Sequence, residues 1–351
     1  MRKKLVLLGL VMVMLFISAC GEKGEGSKDT DTADVKQSET TGSEKEEASD
    51  NKEQASDEYG KVVIENFGHT TTYEKIPERA VSIELGPTTI LLALGLEDKI
   101  LSVAVSDFGY EDCLPEYREK LSKLDSMIKG LPTLELILSH QPDFVYGTIY
   151  ALNENGSFAL KDIEKENIPV YCMTGTCSEK PSIGDVYTDI TDLGKIFHKE
   201  EEAKALIAKC REREEALKKA SAGREVRVMG YDSGDKQAYV AGSGIENDIF
   251  RLAGGKNVYE DLDKDFAGVN WEDIAVRNPE LIVVHEYAVE EVGTAEEKIK
   301  MLKEHPALKD VDAVKNDHFV VVSLAEVFPG LQVFDAAERI QAKIQEIRAA
   351  K

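Results

Sequence analysis

The sequence predicts an α/β protein of two lobes, rich in parallel sheet and joined by one long helix, on three observations. First, short strand-like runs alternate with helical stretches in both halves of the chain, the pattern of parallel βαβ units. Second, KEEEAKALIAKCREREEALKKASA (199–222) runs between the halves without Pro or Gly. Third, LELILSHQPDFVY (134–146) is echoed by WEDIAVRNPELIV (271–283), with Glu135 and Pro142 seven apart and Glu272 and Pro279 likewise.

From the start of the chain, MRKK is basic, Leu5 to Ile17 is apolar, and Ser18, Ala19 and Cys20 follow. That order is the pattern of a secretory signal peptide over 1–19. The run is too short for a bilayer span, which needs about 20 apolar residues. FISAC resembles the lipobox of bacterial lipoproteins, which implies a lipid on Cys20 and anchoring to the outer face of the cytoplasmic membrane. The plainer alternative is an ordinary signal peptide with an incidental Cys. Residues 21–58 hold thirteen acids, five lysines and no aromatic, so they carry eight of the chain's −23 formal charges. Such a segment buries too little to fold, and 20–58 reads as a lipidated Cys with a disordered acidic tether. Residues 59–351 are then too many for one ordinary core and suit two domains.

In the body, VVIENF (62–67), AVSIEL (80–85), ILSVAVS (100–106), FVYG (144–147) and PVYCM (169–173) read as strands. A helix opens near Pro87 and closes at Gly95; others fall near 116–123 and 157–167. These make a first lobe over 59–198. The 199–222 segment places Ala203, Leu206, Ile207, Cys210 and Leu217 at helical spacing and would be about 35 Å long. Beyond Gly223, over 223–351, the strands VRVMGY (226–231), QAYVAG (237–242), LIVVHE (281–286) and FVVVSL (319–324) are interleaved with helices near 247–253 and 331–349. In each copy of the doubled text, Thr133 or Asn270 is an N-cap and Glu135 or Glu272 stands at the second helical position, where its charge suits the helix dipole. On this reading alone the two glutamates need do no more than that. Cys172 and Cys177 are close enough to pair. They lack the CxxC spacing or His partner of a zinc site.

The body resembles the substrate-binding proteins of ABC importers for iron–siderophores, haem and cobalamin, the helical-backbone class. The matching text is PERAVSIELGPTTILLALGLEDKILSVA, LPTLELILSHQPDFV, AGSGIENDIFRLAGGKNVYED, WEDIAVRNPELIVV and HPALKDVDAVKNDHFVVV, in that order. The resemblance implies two α/β sandwich lobes on a rigid helix and a ligand groove between them. It also implies an ABC permease dimer with its ATPase as partner, docked through Glu135 and Glu272 onto Arg-containing pockets. A bidentate Arg–carboxylate pair is directional, and one per lobe would register both at once. The protein is expected to be a non-enzymatic monomer that captures a ferric siderophore, with cobalamin, haem or a non-transport ligand sensor as alternatives. No resident cofactor or metal is expected.

Open α/β sheets bind ligands at the carboxyl ends of their strands. That rule selects Glu84 with Leu85 and Gly86, Ser106 to Tyr110, Thr148 and Tyr150, Tyr231 and Asp232, Ala241 to Gly244, Phe266, Trp271, His285 to Tyr287, and Leu324 to Phe328. The expected ligand contacts are Glu84, Tyr110, Tyr150, Tyr231, Phe266, Trp271, His285 and Tyr287. Each has a plainer reading: Trp271 packs on the docking surface, the loop tyrosines are amphipathic surface, and His285 with Tyr287 is a satisfied polar edge rather than a haem-ligating pair. These strand ends contain no Arg, a departure from many ferric-siderophore binders that leaves room for a neutral or cationic complex, haem or a corrinoid. The acidic balance excludes nucleic acid, which needs a basic footprint. GxSxG, GxxxxGK[ST] and paired GxGxxG are all missing, and six scattered His speak against direct Zn²⁺ or Mn²⁺ capture.

Overall fold

The computed structural model describes residues 60–105, 110–154, 156, 158–288 and 292–350. The expected leader 1–19, Cys20 with the acidic segment to 58, and 106–109 lie outside them. β1 (Val62–Asn66) and β2 (His69–Tyr73) form a hairpin. Alternation then begins with β3 (Ala80–Ile83), α1 (Leu85–Ala93), β4 (Ile100–Val105), α2 (Pro115–Leu121) and β5 (Ser126–Lys129). It continues through α3 (Leu134–Ser139), β6 (Phe144–Gly147), α4 (Leu160–Glu164), β7 (Val170–Cys172), the single turn α5 (Thr174–Cys177) and α6 (Ile183–Ile196). The sheet order is β5-β4-β3-β6-β7, and every pairing is parallel. The order reverses between β3 and β6, so the carboxyl ends of those strands open the crevice where such sheets take ligands.

The long helix α7 (Glu200–Ala220) follows, three residues shorter than its expected span. It leads into β8 (Val226–Ser233), β9 (Ala238–Ala241), α8 (Glu246–Ala253), β10 (Gly255–Asn257), β11 (Phe266–Val269) and α9 (Trp271–Arg277). The chain closes through β12 (Leu281–Glu286), α10 (Ala295–Glu304), α11 (Asp312–Lys315), β13 (Phe319–Ser323) and α12 (Val333–Ala349). The second sheet runs β11-β9-β8-β12-β13, with β10 beside β8. This sheet is mixed: β9 runs against β8, and β11 against β9, while β10, β12 and β13 pair in parallel. The link from β8 to β9 is a few residues long, too short for a crossover, which needs a dozen or more.

Helix α6 was not among the expected elements. Its β-branched residues and two glycines dilute the helical signal, yet Ser182 and Asp185 close a capping box at its start. Gly194 has a packing reason: a Cβ there would sit 2.6 Å from the Cβ of Ala203 on α7. On α7 the buried residues are Ala203, Cys210 and Leu217, spaced by seven, so one narrow stripe faces the body. Helix α12 packs alongside it, with the Gln341 amide donating to the Leu217 carbonyl at 2.8 Å and Arg213 paired to Asp335 and Glu338. One apolar cluster runs through Leu92, Val186, Leu217, Phe250, Phe334 and Ile340. The lobes therefore share a core as well as a connecting helix, which stiffens them against each other.

Cys172 and Cys177 are joined by a disulfide that closes the turn carrying α5. The side chain of Asn66 brackets the same turn, accepting from the Cys172 N–H at 2.7 Å and donating to its carbonyl at 2.9 Å. A loop of this length predicts a loss of roughly 2 kcal/mol on opening the bridge. Chemical denaturation of Cys172→Ser/Cys177→Ser is expected to show that loss; unchanged stability would mean that hydrogen bonds such as those of Asn66 and Asp189 hold the turn without the bridge.

Candidate functional site

A narrow cleft separates the two lobes. Tyr150, Gly175, Thr176 and Pro181 line it from the first; residues 244–246, Asp265, Phe266 and 327–329 line it from the second. Tyr150 follows β6 at the strand-order reversal. Its ring stands edge-on to Phe328 at 5.6 Å, and its hydroxyl reaches Asp265 Oδ2 at 3.5 Å. Gly175 is required where the walls meet, since a Cβ there would lie 2.6 Å from that of Pro329. The free space is about 20 Å³, room for about one water. Small-molecule pockets run to about 300–1,000 Å³, so the cleft as it stands is too small for a ligand of that class. Among the described residues no Lys or Arg lines the cleft.

Behind the second wall lies a buried ionic chain. His285, fully buried on β12, meets Glu246 Oε1 through Nε2 at 3.0 Å and Asp232 Oδ1 through Nδ1 at 3.3 Å. Tyr287 donates its hydroxyl to the same Asp232 oxygen at 2.5 Å. Lys298, itself buried, donates to the His285 carbonyl at 2.8 Å and lies over the Tyr287 ring. Burial disfavours the charged imidazole, but Glu246 and Asp232 together outweigh it and raise His285 to about 9. Burial likewise pushes Asp232 up, and the His285 bond and charge pull it below the usual carboxylate range. Asp265 is raised, chiefly by burial and further by Glu246.

For His285 the folded value lies above the unfolded one of about 6.5. Its contribution is thus complete below about pH 6.5 and is lost as pH rises through 9. Urea midpoints measured from pH 6 to 9.5 are expected to fall more steeply for the native chain than for His285→Gln. Parallel slopes would mean that His285 is neutral when folded.

Of the eight expected ligand contacts, the cleft lining contains Tyr150 and Phe266. Glu84 is 6% exposed at the end of β3 and holds φ 82°, ψ 159°. That region is nearly confined to glycine and costs on the order of 1–3 kcal/mol. Its N–H donates to the Ala104 carbonyl at 2.7 Å and its carbonyl accepts the Thr88 hydroxyl at 2.9 Å, which pins it there. Tyr110 is exposed, off the lining, two residues before Asp112, whose carboxylate accepts the Ser323 hydroxyl across the lobes. Tyr231 is buried instead, its hydroxyl donating to the Gly234 carbonyl at 2.6 Å. Trp271 also leaves the groove: it is buried in the second lobe's core, stacked on His305 at 4.4 Å. As the first residue of α9 it points its indole inward while Glu272 points out. His285 and Tyr287 lie outside the cleft lining, and both His285 nitrogens face carboxylate oxygens. Sequence reasoning missed Glu246 and Asp265. Asp265 is one residue before the expected Phe266; Glu246 opens a helix and carried no signal of its own.

The doubled text folds as a doubled device. Thr133 caps α3, its hydroxyl accepting from the Leu136 N–H, and exposed Glu135 is the second helical residue. Exposed Glu272 holds the same position on α9 after Asn270. Each helix ends on a residue of positive φ, Gln141 or Asn278, before its proline. Arg79 Nε donates to the Gln141 carbonyl and Arg227 Nε to that of Asn278, both at 2.8 Å. The acid after each proline answers: Asp143 accepts the Arg79 N–H at 2.8 Å, and Glu280 accepts the Arg227 N–H at 3.2 Å. Reciprocal clamps therefore fix each glutamate-bearing helix to the leading end of its lobe's β3 or β8.

A family model described as periplasmic binding protein matches residues 81–323. Among curated relatives, a vitamin B12-binding protein of Vibrio campbellii is 27% identical over 69% of this chain and 79% of its own length. A periplasmic binding protein from Veillonella parvula shares the fold at TM-score 0.73 and 28% identity, covering 82% of this chain and 98% of that one. A structure titled as an ABC-type Fe³⁺-hydroxamate transport system from Saccharomonospora viridis gives TM-score 0.69 at 25% identity, covering 81% and 98%. The family match spans more than half of the chain and includes both clamped helices and most of the cleft wall, so this protein belongs to the periplasmic binding protein family, as a substrate-binding protein of an ABC importer.

Proposed function

We propose that the protein captures a ferric hydroxamate-type siderophore complex between its lobes and passes it to an ABC permease that reads Glu135 and Glu272. The observation that carries this reading is an aromatic cleft with no Lys or Arg among its described lining residues, closed by two lobes that each present a clamped, exposed glutamate. Ferric trihydroxamates are neutral or cationic, so they need no arginine to meet them, whereas ferric catecholates are strongly anionic. The Saccharomonospora structure supports the same class of cargo. Cys20 would hold the protein at the outer face of the membrane by a lipid, with 21–58 as the tether.

A second reading is a corrinoid cargo, favoured by the relatives named as vitamin B12-binding proteins. Calorimetry of the full chain with ferrioxamine, ferric enterobactin, cyanocobalamin and haem separates the two. Binding of ferrioxamine below about 1 μM, with enterobactin inert, is the expected result. Binding of cyanocobalamin alone would transfer the assignment to the corrinoid. Calorimetry is preferable to fluorescence because the sole Trp271 is packed away from the cleft.

A further inference from the structure

We infer that the cleft selects its cargo by charge, reading a neutral or cationic donor-bearing chelate through the Glu246 carboxylate that His285 and Asp232 hold at the cleft wall. The inference rests on the importer reading above and names the chemistry of its ligand.

Glu246 is 2% exposed, yet it lines the cleft. A buried carboxylate in a ligand-facing wall needs a hydrogen-bonding partner. His285 is that partner, bonded to Glu246 on one side and Asp232 on the other. Both ring nitrogens face carboxylate oxygens, an arrangement that suits the imidazolium form. Asp232 is largely used up by His285, Tyr287 and Ser233. Glu246 is engaged by His285 through Oε1, and a carboxylate accepts about four bonds, so acceptor capacity remains for a ligand. Asp265 adds a second carboxylate on the same wall. The positive groups that balance this cluster, His285 and Lys298, sit behind the wall and outside the lining. Phe266 stands edge-on over His285 at 6.0 Å, closing it off. Tyr150, Phe266 and Phe328 add aromatic rings to the lining, and the face of such a ring attracts cations. The ionisable side chains of the described lining, Glu246 and Asp265, therefore favour positive charge or N–H and O–H donors. An anion entering this low-dielectric space meets two carboxylates and, among the described lining residues, no Lys or Arg.

The test is a charge-graded series on one core: ferrioxamine B, carrying a free ammonium, its N-acetyl derivative and its N-succinyl derivative. Cyanocobalamin and its monocarboxylate derivative give a second, corrinoid pair. On the native full chain, the succinylated chelate is expected to bind roughly tenfold or more weaker than ferrioxamine B, with the acetylated form between. Glu246→Gln and, separately, Asp265→Asn are each expected to shrink that ratio. His285 is a positioning residue, so His285→Asn is expected to change the ratio between cationic and anionic chelates; a merely structural role would weaken all members alike. The native series stands even if the Glu246 and His285 variants fail to fold, and Asp265→Asn lies outside the buried chain. Equal binding of anionic and cationic members by the native chain overturns the inference and leaves the importer reading intact. Binding by neither core overturns the proposed cargo, and this inference with it.

Discussion

Reversing both exposed charges, Glu135→Lys with Glu272→Lys, is expected to cut uptake by roughly hundredfold or more while chelate affinity stays within about twofold. The magnitude follows from geometry. Each glutamate stands on a helix fixed by an arginine–acid clamp, Arg79 with Asp143 and Arg227 with Glu280. Neither lines the cleft. Replacing one partner of a directional Arg–carboxylate pair at an interface by a like charge costs several kcal/mol, and two such replacements multiply. A single reversal is expected to give an intermediate defect, because one lobe still registers. Uptake measured in cells, paired with calorimetry on the same variants, separates docking from capture. Normal uptake by the double variant would sink the docking assignment and reduce both glutamates to helix-dipole partners.

Asp189→Ala is expected to cost about 3–5 kcal/mol of stability, the largest single-site loss in the first lobe. Asp189 is buried on α6 and accepts Tyr171 and Tyr146 hydroxyls at 3.0 and 3.2 Å and the Thr174 N–H at 3.0 Å. Alanine leaves these donors without their shared acceptor and frees the start of α5, which carries Gly175 and Thr176 of the cleft wall. Burial raises the Asp189 carboxyl to about 7 against the pull of those bonds. The folded state therefore holds this proton more tightly than the unfolded chain, whose value is about 3.9. The contribution is complete below about pH 4 and is lost as pH rises to 7. Asp189→Asn is expected to cost less than alanine and to remove that slope. A native-like slope in Asp189→Asn would show that another group carries it.

The sequence by itself determined the alternation of strands and helices, the uninterrupted helix between the lobes and the pair of glutamates at matched positions. These are local or repeated signals. Strand and helix periods are set by neighbours in sequence, the α7 run lacks any breaker, and the Pro–acid pairs behind Arg79 and Arg227 recur as a unit. Tyr150 was legible because the end of β6 can be read from its apolar run; Phe266 instead opens β11, a strand with no apolar run to mark it, and meets Ala241 at the end of β9. Tertiary structure alone decided the rest. Trp271 reads as a groove aromatic by position, but α9 turns its indole into the core, because a helix sends successive side chains to different faces. The buried chain Asp232–His285–Glu246 joins β8, β12 and α8, residues up to 53 apart in sequence, and spacing carries no trace of such a meeting. α6 was hidden for a related reason: its helical state comes from burial against α7 at Gly194 rather than from the propensity of its residues. Where the free energy comes from groups remote in the chain, the residues give no local sign of it, and the cleft's selecting carboxylates are held by just such groups.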